Sequence, residues 1–198
     1  MTLGPRFIDA LGFATELHSG QMRKGTHTPY VAHLLGTAAT VLEHGGDEDE
    51  VIAALLHDAV EDQGGLETRQ RIVKRFGERV AAIVDGCTDS HIQPKPPWRA
   101  RKEAFVNSLA DATPSVLLVT GSDKLYNART ILRDYRDHGE VLWKRFTAGR
   151  QTLWYYRSLM NAFRQRRPTG QLKLLIDELG FVVSELEQLA GSHPKTSS

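Results

Sequence analysis

Apolar residues recur along the chain at intervals of three and four, broken by glycine, proline and small polar clusters, and this pattern predicts a succession of helices. Phe7, Ile8, Leu11, Ala14 and Leu17 make one stripe that stops at Ser19-Gly20. Thr28-Pro29 has the form of an N-cap with proline at the first helical position, and Val31, Leu34, Leu35, Ala38, Val41 and Leu42 carry the pattern to Gly45-Gly46. Asp47 is placed to cap a third helix whose first turn, Glu48, Asp49 and Glu50, is acidic as the helix dipole favours; it should run to about Asp62, before Gly64-Gly65. Helices over 67–76 and 78–87 follow, separated by Gly77. The stretch 91–97, with three prolines, reads as a loop, and 98–112 as helix. Residues 116–119 are ambiguous, since four apolar residues suit a buried strand as well. The helical composition of 124–135 and the lack of a partner strand favour helix. Two long helices, 140–166 and 171–189, complete the pattern, and 191–198 is a polar tail expected to be mobile.

The expected fold is all-α, a single helical bundle over residues 1–190. A chain of 198 residues with 40% hydrophobic and 25% charged residues has enough apolar material for one core, and neither repeat nor linker divides it. The net charge of +1 and a pI near 7.9 offer no global argument for nucleic acid, which calls for a pI above about 9. One cysteine, Cys87, precludes an internal disulfide, and no Cys/His cluster suggests structural zinc. Residues 1–20 lack the apolar run of a secretory signal, and no stretch approaches the roughly 18–20 apolar residues that span a bilayer. A cytoplasmic protein without membrane or nucleic-acid partners is expected, its oligomeric state open. Charge is nevertheless uneven. Residues 43–67 carry nine acidic groups and no Lys or Arg, while 129–167 carry ten basic groups against three acidic ones. Two solvated helix faces would account for this; the alternative is an acidic cation site beside a basic wall for a polyanion.

The segment Ala54-Leu55-Leu56-His57-Asp58-Ala59-Val60-Glu61-Asp62 holds the densest chemistry. On a continuous helix His57, Glu61, Asp58 and Asp62 fall at about 0°, 40°, 100° and 140°, all on one side, with Ile52, Leu55, Leu56, Ala59 and Val60 opposite. Three carboxylates within two turns repel unless water screens them or a cation sits among them. Imidazole and carboxylate together suit manganese, iron, zinc or cobalt, but two ligands are too few. His33 and Asp123 each lie in an apolar frame where an unpartnered polar group is costly, so both are candidates to complete the set. A capped or hydrogen-bonded structural role is the alternative for each.

In order and spacing, Arg23-Lys24, Pro29-Tyr30, His33, Leu55-Leu56-His57-Asp58-Ala59-Val60-Glu61-Asp62 and Asp123-Lys124-Leu125-Tyr126-Asn127-Ala128-Arg129-Thr130 resemble the HD-domain phosphohydrolases, in particular the hydrolase domain of the RelA/SpoT family and its small alarmone hydrolases. Phe76-Gly77 and Cys87-Thr88-Asp89-Ser90 extend the likeness to roughly residues 5–160. The resemblance implies an all-α fold in which His33, His57, Asp58 and Asp123 bind one divalent ion, usually manganese. It further implies hydrolysis of the 3′-pyrophosphate of guanosine tetra- or pentaphosphate, with Glu61 in proton transfer and Asp62 in support. Arg23 and Lys24 resemble a substrate-binding pair, the guanidinium on the base and the ammonium on phosphate. Asn127 and Thr130 match positions of the nucleoside pocket. Arg150 and Trp154, four apart, would add a cation and an aromatic wall, although core packing is the alternative for 153–156. The chain departs from the pattern at Leu34, commonly proline, Gln63, usually threonine, and Ser122, usually alanine. With no length in these 198 residues for synthetase or regulatory domains, the chain is expected only to degrade the messenger. Rival readings are a related substrate, such as adenosine 3′-pyrophosphate or the 2′-phosphate of NADPH, a non-catalytic nucleotide sensor, and a helical nucleic-acid binder using 129–167.

Overall fold

The computed structural model describes residues 2–90 and 94–192; part of the expected 91–97 loop and most of the expected 191–198 tail lie outside the described residues. Among the described residues the chain is helical, with one isolated antiparallel bridge between Met22 and Pro29. The order is α1 Pro5–Leu17, α2 Val31–Glu43, α3 Glu48–Leu56, α4 Ala59–Asp62, α5 Gly65–Phe76, α6 Glu78–Cys87, α7 Trp98–Ser108, α8 Pro114–His138, a 3-10 helix Gly139–Arg145, α9 Gln151–Gln165 and α10 Gly170–Ser192. Two helices organise the rest: α3, apolar and buried from Val51 through Leu56, packs on α1, α2 and α6, and α8 packs on α2, α6 and α10.

Local signals account for several boundaries. Asp47 caps α3 in a reciprocal capping box, its side chain accepting from the Glu50 amide at 3.0 Å while the Glu50 carboxylate accepts from the Asp47 amide at 2.8 Å. Thr113 Oγ1 accepts from the Val116 amide, and the ambiguous stretch 116–119 lies within α8. The close crossing of α2 and α8 requires Gly36, since a Cβ there would lie 1.9 Å from Tyr126 Cε2.

Three expectations are corrected. The helix beginning at Asp47 does not run unbroken to Asp62. His57 Nδ1–H donates to the Ala54 carbonyl at 2.8 Å, the acceptor that the Asp58 amide would use in an uninterrupted helix, and Asp58 adopts φ −96°, ψ −4°. Pro29 does not open α2, because it is engaged in the bridge with Met22; α2 begins at Val31. The expected helix 140–166 is a 3-10 turn and a separate α9, divided where Phe146 is extended and Gly149 takes φ +54°.

Candidate active site

Four side chains from three distant stretches of chain converge at the centre of the bundle. His33 projects from the first turn of α2, His57 from the end of α3, Asp58 from the turn into α4 and Asp123 from the middle of α8. His33 Nε2 and His57 Nε2 face each other at 3.2 Å. Asp58 Oδ2 lies 3.4 Å from the first and 3.0 Å from the second, and Asp123 Oδ1 lies 3.3 and 3.6 Å from them. The imidazoles are buried, 1% and 2% exposed. Because Nδ1 of His57 is committed as a donor to a carbonyl, its Nε2 presents a bare lone pair to the cluster when the ring is neutral.

His33, His57 and Asp58 form a group that fits a divalent ion. Bonds of about 2.1 Å place donors about 3.4 Å apart around a tetrahedral ion and about 3.0 Å apart around an octahedral one, and these three lie 3.0–3.4 Å from one another, with Asp123 beside both imidazoles. Without an ion, protons must do the same work. Burial disfavours the His57 imidazolium, yet Asp58 and Asp123 outweigh it and raise this group well above the ordinary histidine range. Burial would likewise raise both carboxyls; His57 and His33 hold Asp58, and Lys124 together with the imidazoles holds Asp123, well below the usual carboxylate range. Tyr30, raised by burial and by Asp58, donates its hydroxyl to Asp58 Oδ2 at 2.5 Å.

Glu61 and Asp62 flank this cluster. Lys95 Nζ lies 2.7 Å from Glu61 Oε1, the Asp89 amide donates to Glu61 Oε2 at 3.4 Å, and Asp62 Oδ2 accepts from Gln21 Nε2 at 2.9 Å. Both acids line a cleft of about 180 Å³. A second cavity of about 450 Å³ adjoins it, the two sharing Tyr30, His33, Lys102, Lys124, Asn127 and Tyr155.

Arg23, Lys24, Asn127 and Thr130 all line the larger cavity. Arg23 donates to Asn127 Oδ1 at 2.6 Å, and Asn127 Nδ2 donates in turn to Asp123 Oδ1 at 2.5 Å, so the cavity wall is tied to the donor cluster. Lys24 donates to Thr147 Oγ1 at 2.9 Å; the Thr130 hydroxyl is turned back onto the Tyr126 carbonyl at 3.0 Å. Arg150 is not brought to the cavity. Standing at the N-terminus of α9, it donates to Glu140 at 2.7 Å and to the Ala190 carbonyl at 2.8 Å. Trp154 packs against Trp98 under the Arg99 guanidinium, and Tyr155 and Tyr156 form the aromatic wall instead.

Sequence reasoning missed Lys102, which lines both cavities and is held at 2.5 Å by Asp89, a carboxylate that also takes Arg101 at 2.6 and 2.7 Å. Arg133 and Arg145, which also stand on the cavity wall, belong to the basic run 129–167, but the sequence did not single them out from its other cations. Asp89 lies in the recognisable Cys87-Thr88-Asp89-Ser90 segment, but nothing at the sequence level ties Lys102 to it.

Comparison with known proteins gives the chain a family. The HD domain family matches residues 10–154. A relative from Xenopus tropicalis, guanosine-3′,5′-bis(diphosphate) 3′-pyrophosphohydrolase MESH1, is 38% identical over 129 residues, covering 64% of this chain and 69% of that protein. An Aquifex aeolicus guanosine-3′,5′-bis(diphosphate) 3′-pyrophosphohydrolase is 40% identical over 125 residues, which are 62% of this chain but 17% of that much longer protein. A solved structure described as a metazoan ortholog of SpoT that hydrolyzes ppGpp superposes with a TM-score of 0.70 at 25% identity, covering 90% of this chain and 96% of that one. His33, His57, Asp58 and Asp123 all fall inside the matched span, and the chain belongs to the HD domain family.

Proposed function

We propose that this chain is a divalent-metal-dependent hydrolase that removes the 3′-pyrophosphate of guanosine tetra- or pentaphosphate, releasing pyrophosphate and GDP or GTP. The observation that carries the reading is that the His33–His57–Asp58–Asp123 cluster lies beside a cavity of about 450 Å³ with a cationic and aromatic wall, His33 lining that cavity. The named activities of the Xenopus and Aquifex relatives and the ppGpp hydrolysis of the metazoan neighbour support the substrate class. We assign the ion as manganese, the setting as cytoplasmic and the working unit as residues 1–190.

When bound, the ion lowers the pKa of a water and polarises a phosphoryl oxygen. The chain supplies the rest. Glu61, steadied by Lys95, handles the proton of the attacking water, and Asp62 supports it. Lys102 and Lys124, at the junction of cleft and cavity, face the charge on the pyrophosphate. Arg23, fixed by Asn127 beside the Tyr30 ring, stacks on the base, and Lys24 faces phosphate.

The test is incubation of manganese-loaded protein with guanosine tetraphosphate, adenosine 3′-pyrophosphate analogues and NADPH, with pyrophosphate and phosphate measured. Pyrophosphate release from the guanosine substrate, abolished in His57→Ala, is expected. Release only from the adenosine compounds would reassign the substrate, and binding without turnover of any of them would make the protein a sensor.

A further inference from the structure

His18, Gln21 and Gln63 form a hydrogen-bond chain that ends on Asp62. Gln21 Nε2 donates to Asp62 Oδ2 at 2.9 Å, while Gln21 Oε1 accepts from Gln63 Nε2 at 2.6 Å and lies 2.7 Å from His18 Nδ1. Only one orientation of the Gln21 amide satisfies all three contacts. Flipped, it would set its oxygen against the Asp62 carboxylate and its nitrogen against the Gln63 amide nitrogen. With Oε1 facing His18, the histidine must carry its proton on Nδ1. Its other ring nitrogen is buried with no partner among the described residues, a position that tolerates a bare lone pair better than an N–H. The chain is anchored at both ends. Thr68 Oγ1 donates to the Gln63 carbonyl, and the His18 ring, 3% exposed, stacks on Tyr30 with centroids 5.1 Å apart and planes 15° apart.

Asp62 needs such support. It lies at the end of the four-residue α4 and is exposed, so its carboxylate would otherwise sample several rotamers. We propose that Gln21, oriented by His18 and Gln63, is a positioning residue for Asp62: it holds one carboxylate oxygen so that the other is presented to the cleft. This rests on the reading of Glu61 and Asp62 as the proton-handling pair. Gln63 is one of the positions where the chain departs from the threonine usual in the family it resembles, and the shorter threonine has no amide to donate to Gln21.

The experiment compares wild type, Gln21→Leu, Gln63→Leu, Asp62→Asn and the Gln21→Leu/Asp62→Asn double variant, all manganese-loaded, on guanosine tetraphosphate. Gln21→Leu should lower kcat by about tenfold or more with KM changed less than about twofold, and Gln63→Leu should lose less. In the Asp62→Asn background the Gln21 substitution should cost nothing further. A full additional loss in the double variant, or a parallel loss of manganese affinity measured by calorimetry, overturns the proposal. A second readout needs no turnover: nitrogen-15 NMR of the histidine rings should show His18 as the Nδ1–H tautomer, and the Nε2–H tautomer overturns the chain outright. Active wild type with unaltered variants defeats the positioning role alone, whereas inactive wild type defeats the hydrolase reading and the role of Asp62 with it.

Discussion

His57 on one side and the carboxyls of Asp58 and Asp123 on the other are held in opposite protonation senses, and this has a measurable consequence. In metal-free protein the raised His57 contributes stability that is fully present below the unfolded histidine value of about 6.5 and is lost as pH rises through its folded value. Asp58 and Asp123, depressed, contribute above the unfolded carboxylate value of about 3.9 and lose that contribution as pH falls through their folded values. The metal-free centre is therefore most stabilising between roughly pH 4 and 6.5. A bound ion needs neutral imidazole, so its affinity rises with pH. The gap in melting temperature between manganese-loaded and chelated protein should widen from pH 6 to pH 9, read by calorimetry, with loading at a thousandfold excess over Kd worth about 4 kcal/mol. A gap independent of pH would show that the imidazoles do not exchange protons for metal. At this scale His57 and Asp58 were legible as candidates from the crowding of ionisable groups about them, and His33 and Asp123 from their apolar frames, the four being joined into one set by the family resemblance. Lys102 was not, because the burial and the Asp89 contact that define it come from the fold.

Among the elements, the crossing of α2 with α8 sets the distance between His33 and Asp123. Gly36 lies one turn beyond His33 and Tyr126 one turn beyond Asp123, and the two touch where a side chain larger than hydrogen has no room. Gly36→Ala should force the helices apart, lowering stability by about 1–3 kcal/mol in urea denaturation. It should also weaken manganese binding at least tenfold by calorimetry, and Tyr126→Leu should restore part of both. Unchanged metal affinity in a destabilised variant would mean that the crossing does not set donor spacing. Helix existence was readable from apolar spacing throughout, and the Asp47 cap from its acidic first turn. The interruption after Leu56 was not, since it depends on the His57 ring competing for a backbone carbonyl. Nor was the division of 140–166, which turns on the conformation of Phe146 and Gly149 and decides that Arg150 meets Glu140 rather than the cavity.

In the whole molecule the uneven charge of the chain is largely resolved by packing. Arg6 and Arg79 pair with Asp47, Glu48 and Asp49, while Arg129, Arg136 and Arg157 pair with Glu178, Glu185 and Glu187 of α10, leaving Arg133 and Arg145 of the basic run on the cavity wall. No helix among the described residues is long and apolar enough to cross a membrane. Helix α10 lies beyond the matched HD span, yet it buries Leu175, Leu179, Leu186 and Ala190 completely. A chain stopped before Gly170 should expose that apolar face of α8 and α9 and fail to show a cooperative thermal transition by circular dichroism. A truncated chain that melts like the full one would place the working unit short of residue 190. By itself the sequence determined the helical class and the core-facing stripes, because apolar periodicity is a local property, and it singled out His33, His57, Asp58 and Asp123 as candidate donors through their local frames and the family resemblance. Only the tertiary structure decided which of the remaining cations and aromatics reach the cavity, and how Asp62 is held, because those contacts join residues separated by tens of positions, and their geometry depends on helix crossings and broken turns that no short window of sequence encodes.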